Sequence, residues 1–276
     1  MTFFAANSLL ARFALRAGQI DAAGFTAVRV VAGSAALLLL MSFRQEGVGA
    51  ARRHGSLRAA VALFTYAIAF SFAYLSLSAG AGALIMFAAV QMTMLGIGMA
   101  GGERPRPAEW IGLLVAFGGL VYLVSPGMTA PSPVGVSLML ISGAAWGYYS
   151  LEARDVSAPI AATAGNFSRA APIAAAALII NWRIGHIHAS WPGIGLAAVS
   201  GAVTSGLGYA LWYFTLRSLR TSLAAIVQLT VPVLAATAGV ILLGERFTWR
   251  LALASTAILG GVALALVRRV SYRTGR

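Results

Sequence analysis

The sequence predicts an all-α membrane protein of about ten transmembrane helices, arranged as two inverted five-helix repeats. Three observations carry that prediction: apolar segments of spanning length between short polar breaks, arginines crowded into alternate breaks, and self-similarity between the two halves. Of 276 residues, 59% are hydrophobic and only 10% charged, and the mean hydropathy is +0.84. A soluble domain carries about a quarter charged residues, because water covers its surface. Here lipid must solvate much of the exterior. The 31 glycines suit helices that pack closely in a bilayer. The absence of cysteine excludes disulfides and thiolate metal sites.

A hydrocarbon core about 30 Å thick takes about 20 apolar residues per helix, and only closed backbone hydrogen bonding survives there. Read in order, the segments run roughly 2–17, 24–43, 57–78, 81–101, 109–125, 133–151, 158–181, 192–216, 221–243 and 249–267. The breaks are polar or carry Pro and Gly, as in Arg44–Arg58, Gly102–Pro107, Ser125–Pro133 and Arg183–Pro192. Segments three and four are separated only by Ala79-Gly80, which predicts a tight helical hairpin, and Pro172 is expected to kink segment seven. Met1-Thr2-Phe3 supplies no basic n-region, so no cleavable signal peptide is expected.

All 20 cationic side chains are arginines, and the formal net charge is +13. They sit between apolar stretches rather than in a stripe with interleaved aromatics, so a topogenic role replaces a nucleic-acid one. Breaks after even-numbered segments, with the C-terminal tail, hold 13: Arg44, Arg52, Arg53, Arg58, Arg104, Arg106, Arg154, Arg217, Arg220, Arg268, Arg269, Arg273 and Arg276. Breaks after odd-numbered segments hold 4, namely Arg16, Arg183, Arg246 and Arg250. That asymmetry predicts both termini in the cytoplasm and an even number of spans.

At an offset of 142 residues, Gly102-Glu103-Arg104 falls on Gly244-Glu245-Arg246, and Gly118-Gly119 falls on Gly260-Gly261. Ser8-Leu9-x-Ala11-Arg12 matches Ser150-Leu151-x-Ala153-Arg154 at the same offset. The halves are then 1–125 and 133–268. With five spans each, an odd number, the second is inserted upside down relative to the first. Inverted repeats are characteristic of secondary transporters, whose substrate path lies between the halves, and they also occur in some channels. The repeat places Met1 opposite Gly143 although segment six begins near Pro133, so the first helix is expected to lack about ten residues of its counterpart.

Asn7-Ser8-Leu9-Leu10-Ala11-Arg12, Ile20-Asp21 and Phe25 leading into Arg29 resemble the opening of the EamA-type transporters of the drug/metabolite transporter superfamily. The second half is similar in Ala145-Trp146-Gly147-Tyr148, Gly165-Asn166-Phe167, Gly208-Tyr209-Ala210-Leu211-Trp212-Tyr213, Gln228-Leu229-Thr230-Val231-Pro232 and Leu243-Gly244-Glu245-Arg246. The resemblance implies ten spans, cytoplasmic termini in a bacterial inner membrane, and movement of small metabolites, often amino acids or their relatives, outward. It further implies that spans one, three, four, six, eight and nine line the path while five and ten support it, and that no cofactor takes part. The departure is the short first helix, with Phe4 where Trp146 stands in the second half.

Candidate pathway residues follow. Arg29 and Arg169 lie within segments two and seven, where a charge must face a cavity or partner, or reach the headgroups from a helix end. Arg12 sits nearer an end, and Asn7 belongs to the first family-like stretch. Tyr66, Phe70 and Tyr74 recur every four residues on one face of segment three, and segment eight carries Tyr209 and Trp212. Such rings either pack in the membrane or line a cavity that grips apolar or cationic metabolites. Trp146 and Tyr149 invite the same two readings plus an interfacial belt. Gln91, Asn166 and Gln228 place amides inside spans, either bonded to neighbouring helices or open to substrate, and Pro232 adds a helix break.

Glu103 and Glu245 close segments four and nine, where capping or pairing with loop arginines is the structural expectation, together with Gly102 and Gly244. His186-x-His188 falls in a loop with no further ligands nearby, so no metal site is expected. The function expected is transport by alternating access, with a small-molecule substrate and lipid as partners. A lipid-carrier flippase of the same superfamily is the alternative. A membrane-embedded enzyme would need a convergent His, Asp or Glu cluster, which three loop histidines do not supply.

Overall fold

A computed structural model describes residues 1–44, 47–102, 107–127, 130–152, 156–185, 187–216, 228 and 230–271. The chain opens with α1 (Thr2–Arg16), α2 (Ala22–Ser42), a short α3 (Gly47–Arg53), α4 (Leu57–Ala73), α5 (Ala79–Ala100) and α6 (Pro107–Val124). It continues with α7 (Pro133–Glu152), α8 (Pro159–Arg183), α9 (Trp191–Val199), a π-helical turn (Ser200–Leu207), α10 (Gly208–Leu216), α11 (Thr230–Leu243) and α12 (Trp249–Ser271). No strand occurs among the described residues; Ile20 and Ala189 form one isolated bridge.

Helix starts are written locally. Asp21, Ser56, Ser78 and Ser190 each accept the backbone N–H three residues on, satisfying a donor that the first turn leaves orphaned. Pro107, Pro133 and Pro159 open α6, α7 and α8, where a missing N–H costs nothing. Ser78 also corrects the expected hairpin: the turn lies at 74–78, ahead of Ala79-Gly80, because the Ser78 hydroxyl starts α5 there. Inside the expected 44–58 loop, α3 forms and meets α4 at 92°. α8 runs unbroken from Pro159 to Arg183 with Pro172 inside it.

Among the described residues, four helical stretches are long and apolar enough to cross a membrane: α2, α5, α7 and Trp191–Trp212, with the bent α3–α4 pair as a fifth. Outward faces of the helices carry large apolar groups, such as Leu39 on α2, Ile111 and Leu114 on α6 and Ile241 on α11, as lipid contact requires. α2 packs on α8 and on the π-helical turn, α7 packs on α4 and α5, and α11 packs on α1 and α5. α6 and α12 lie chiefly against each other, Gly119 meeting Ala257 and Ile258 while Gly261 meets the Gly112 carbonyl. Small residues let these backbones approach. The core thus sits where α1, α2, α4, α7 and the π-helical turn converge.

Candidate functional site

The centre of that convergence is polar, aromatic and enclosed. Arg29 lies seven residues into α2, about 10 Å along its axis, and is 1% exposed. Its Nε donates to Ser205 Oγ (3.0 Å), and its Nη2 donates to the hydroxyls of Tyr66 (2.8 Å) and Tyr209 (3.0 Å). The two tyrosine hydroxyls bond each other at 3.0 Å. Asn7 of α1 donates to the Tyr66 hydroxyl (3.3 Å) while its Oδ1 accepts from Ser200 (2.6 Å) and Thr204 (3.3 Å). The guanidinium carbon stands 5.0 Å from the ring centres of both Tyr66 and Phe70.

Around this network the rings form a wall. Trp146 lies 4.9 Å from Tyr66, 4.7 Å from Tyr209 and 5.5 Å from Tyr149. Phe4 stacks on Tyr209 at 5.6 Å and meets Trp146 and Trp212 edge-on. Two local features make the geometry possible. Gly201 lets the π-helical turn lie directly on the Arg29 backbone, where a Cβ would collide with the Arg29 carbonyl. The π-helical winding then aims Ser200, Thr204 and Ser205 inward together; such turns recur at functional sites.

A cavity of about 190 Å³ opens beside the cluster, lined by Gly55, Ser56, Tyr149, Glu152, Pro159 and Asn166 among others. Tyr149 is shared by this cavity and the ring wall, so the cavity leads toward Trp146. Asn166 accepts the Ser56 N–H at 2.9 Å, which ties α8 to the start of α4.

The opposite end of α4 is closed by a charged clamp. Gly244, at φ +61°, ends α11 in a left-handed turn that swings Glu245 back, its N–H donating to the Gly239 carbonyl. The Glu245 carboxylate then accepts both Arg12 Nε (3.2 Å) and the Ala79 N–H (2.9 and 3.0 Å). Arg12 Nη1 caps the end of α4 through the carbonyls of Tyr74 (2.8 Å) and Leu75 (3.3 Å). Acid on a helix start and base on a helix end is the favourable sense for both dipoles.

Asn7, Arg29, Tyr66, Phe70, Trp146, Tyr209 and Trp212 therefore meet in one buried cluster, with Tyr149 and Asn166 at the cavity beside it. Tyr74 bridges the two regions: its ring lies 4.7 Å from Phe70 and its hydroxyl donates to the Ala79 carbonyl. Arg169 stands apart, its Nη1 donating to the carbonyls of His54 and Gly165 and its Nη2 to that of Arg52, which caps α3. Capping or pairing with loop arginines is the expectation for Glu245; it caps the start of α5, and its ion-pair partner is Arg12 of α1. Gln91 is half-buried on α5, beside Val90, whose carbonyl faces Gly147. Pro232 is buried in the first described turn of α11 and Gln228 is half-buried. Gly102 ends α5 at φ +93°, and Glu103 lies outside the described residues. Sequence reasoning missed Ser200, Gly201, Thr204 and Ser205, although a run of small and hydroxyl residues in mid-segment was the available signal.

Comparisons with known proteins agree with this architecture. A protein of Pseudomonas aeruginosa, uncharacterized protein PA1977, is 48% identical over 270 residues, covering 98% of this chain and 93% of that one. The uncharacterized inner membrane transporter YedA of Escherichia coli (strain K12) is 27% identical over 81 residues, 29% of this chain and 26% of its own. A solved crystal structure 19% identical in sequence superposes with a TM-score of 0.70, covering 97% of this chain and 95% of that chain. The model of the EamA-like transporter family matches residues 133–267. The chain belongs to the EamA-like transporter family, a multi-pass membrane transporter of the drug/metabolite transporter superfamily.

Proposed function

We propose that this protein carries a small metabolite, such as an amino acid or a related compound, across the bacterial inner membrane by alternating access, in the direction of export. In this reading ten spans form two inverted halves, 1–125 and 133–268, with both termini cytoplasmic. The observation that carries it is the buried cluster itself. Asn7, Arg29, Tyr66 and Tyr209, with Ser205 of the π-helical turn, pool polar groups from five separate elements at one enclosed point. Polar groups held inside an apolar bundle are costly and mark a path for polar solutes. Tyr66, Phe70, Trp146 and Tyr209 would grip the substrate body.

With both termini cytoplasmic, as the arginine asymmetry favours, the cavity beside Asn166 would face the cytoplasm and the Arg12–Glu245 clamp the outer side. The described conformation then reads as closed outside and approachable from inside, with Tyr149 and Trp146 between cavity and site. Enclosure of the cluster favours a solute over the lipid carrier of a flippase, which needs an opening toward lipid. Uptake of radiolabelled amino acids and related acids into proteoliposomes tests the proposal. Saturable, protein-dependent flux is the expected result; a lipid-linked product that flips while no solute moves would overturn it.

A further inference from the structure

Arg29 has an incomplete set of partners. Nε and Nη2 are bonded, but every acceptor they meet is an uncharged hydroxyl, and Nη1 has no hydrogen-bond partner among the described residues. No carboxylate among the described residues lies within ion-pair distance of it. The described acidic side chains are engaged elsewhere: Asp21 with Gly24 and Asn181, Glu152 with Tyr148, and Glu245 with Arg12 and Ala79. The chain's other acids, Glu46, Glu103, Glu109 and Asp155, fall in breaks or at the ends of segments. The centre of the bundle therefore holds a guanidinium without a counter-charge among the described residues, a costly arrangement in a low dielectric unless a ligand supplies the missing anion.

Resting on the transport reading above, we infer that Arg29 is the anchor for the carboxylate of a net-anionic substrate, one with no ammonium group of its own. A carboxylate neutralises the site and accepts the unpartnered Nη1 donor in a charge-assisted bond. A zwitterionic amino acid brings a second cation into an enclosure whose other described polar groups are hydroxyls and one amide, with no acid among the described residues to receive it. Phe4, Phe70 and Trp146 offer the remainder of the molecule an apolar, aromatic wall. The class is a 2-oxo or other monocarboxylic acid with an apolar body.

The test is a matched ligand series on the full chain in detergent, read by the thermal unfolding midpoint and by tryptophan fluorescence. Phenylpyruvate and 3-phenylpropanoate carry one negative charge, phenylalanine is zwitterionic, and 3-phenylpropanamide is neutral. Both anions are expected to raise the midpoint, and to bind about tenfold or more tightly than phenylalanine or the amide. Arg29→Gln is expected to abolish that preference while keeping the ligand-free midpoint at or above the wild-type value, because it removes an uncompensated charge. Arg29→Lys should retain a weaker preference.

Equal binding of phenylalanine and phenylpyruvate overturns the inference, as does no response to either anion, or an anion preference that survives Arg29→Gln. If Arg29→Gln fails to fold, the wild-type ranking and Arg29→Lys decide. Proteoliposomes separate the two proposals. Anions that bind in the expected order but are never moved overturn transport and leave the subsite standing. Flux of phenylalanine in preference to phenylpyruvate keeps transport and overturns the subsite.

Discussion

Two arginines in this molecule, Arg12 at the end of α4 and Arg29 at the centre of the bundle, are treated in opposite ways. Arg12 meets a carboxylate and two helix-end carbonyls, while Arg29 meets three hydroxyls and two aromatic faces. The first arrangement closes on itself: Glu245 holds Arg12 and the start of α5 at once, and Arg12 holds the end of α4. The second leaves a charge and a donor unanswered. A satisfied buried charge is a fastener, and an unsatisfied one is a place for a ligand. Tyr66, Phe70 and Tyr74 run between the two as a continuous ladder of ring contacts, so the fastener and the site share one helix.

The largest effect expected is loss of the fastener. Glu245→Ala leaves Arg12 and the Ala79 N–H without their acceptor, and stability should fall by about 3 kcal/mol, as for one partner removed from a buried pair. Arg12→Ala should cost nearly as much, and the double variant clearly less than the sum of the two singles. Thermal unfolding of the four proteins in one detergent measures that coupling. An additive cycle would break the contrast, since Arg12 would then be no better paired than Arg29.

Gly201 addresses the other arginine from behind. Its lack of a Cβ is what seats the π-helical turn on the Arg29 backbone, and the obstacle a methyl would meet is a carbonyl rather than a side-chain tip. Gly201→Ala should therefore destabilise by about 2 kcal/mol through overpacking and pull Ser205 away from Arg29 Nε. Gly118→Ala, which meets open space on α6, is the control and should leave the unfolding midpoint unchanged.

Much of this fold is legible in the sequence because its signals are local. Serine and aspartate before an apolar run, or proline just inside it, place helix starts to within about three residues. Hydropathy runs through the turn at 74–78 and only Ser78 marks the boundary, so the pattern places the hairpin a few residues late, at Ala79-Gly80. α3 was missed since seven residues with two arginines look like a loop; Arg169, over a hundred positions away, supplies its cap. The site is only half legible. Aromatic spacing on one helix face pointed to Tyr66, Phe70 and Tyr74, and the cost of intramembrane charge pointed to Arg29. Which arginine would find a carboxylate is a tertiary fact: Arg12 and Glu245 lie 233 positions apart. Serines in the π-helical turn carry no charge and no ring, so the run of small and hydroxyl residues at 200–206 is their one mark in the sequence.

Tyr66→Phe sharpens the comparison from the side of the site. Its hydroxyl receives Arg29, Tyr209 and Asn7, so removal strands donors inside the bundle and should cost about 1.5 kcal/mol. The ring stays, and with it the contacts to Phe70 and Trp146. A loss of flux in proteoliposomes larger than the stability change explains would assign the hydroxyl to the pathway. Flux at the wild-type rate would make the network a packing device and weaken the distinction drawn between the two arginines.

The smallest expected effect asks how much of the fastener is ionic. α5 begins with two caps: the Ser78 hydroxyl accepts the Ala81 N–H, and Glu245 accepts the Ala79 N–H. Ser78→Ala removes the first cap and leaves the ion pair intact, so about 1 kcal/mol should be lost, the ordinary value of an N-cap. If Glu245 acted as no more than a second cap, Ser78→Ala and Glu245→Ala would cost the same. A threefold difference in favour of Glu245, seen in the same unfolding measurement, assigns the remainder to Arg12. That remainder is the free energy of supplying a buried arginine with its anion, the quantity that Arg29 leaves to be supplied from outside the chain.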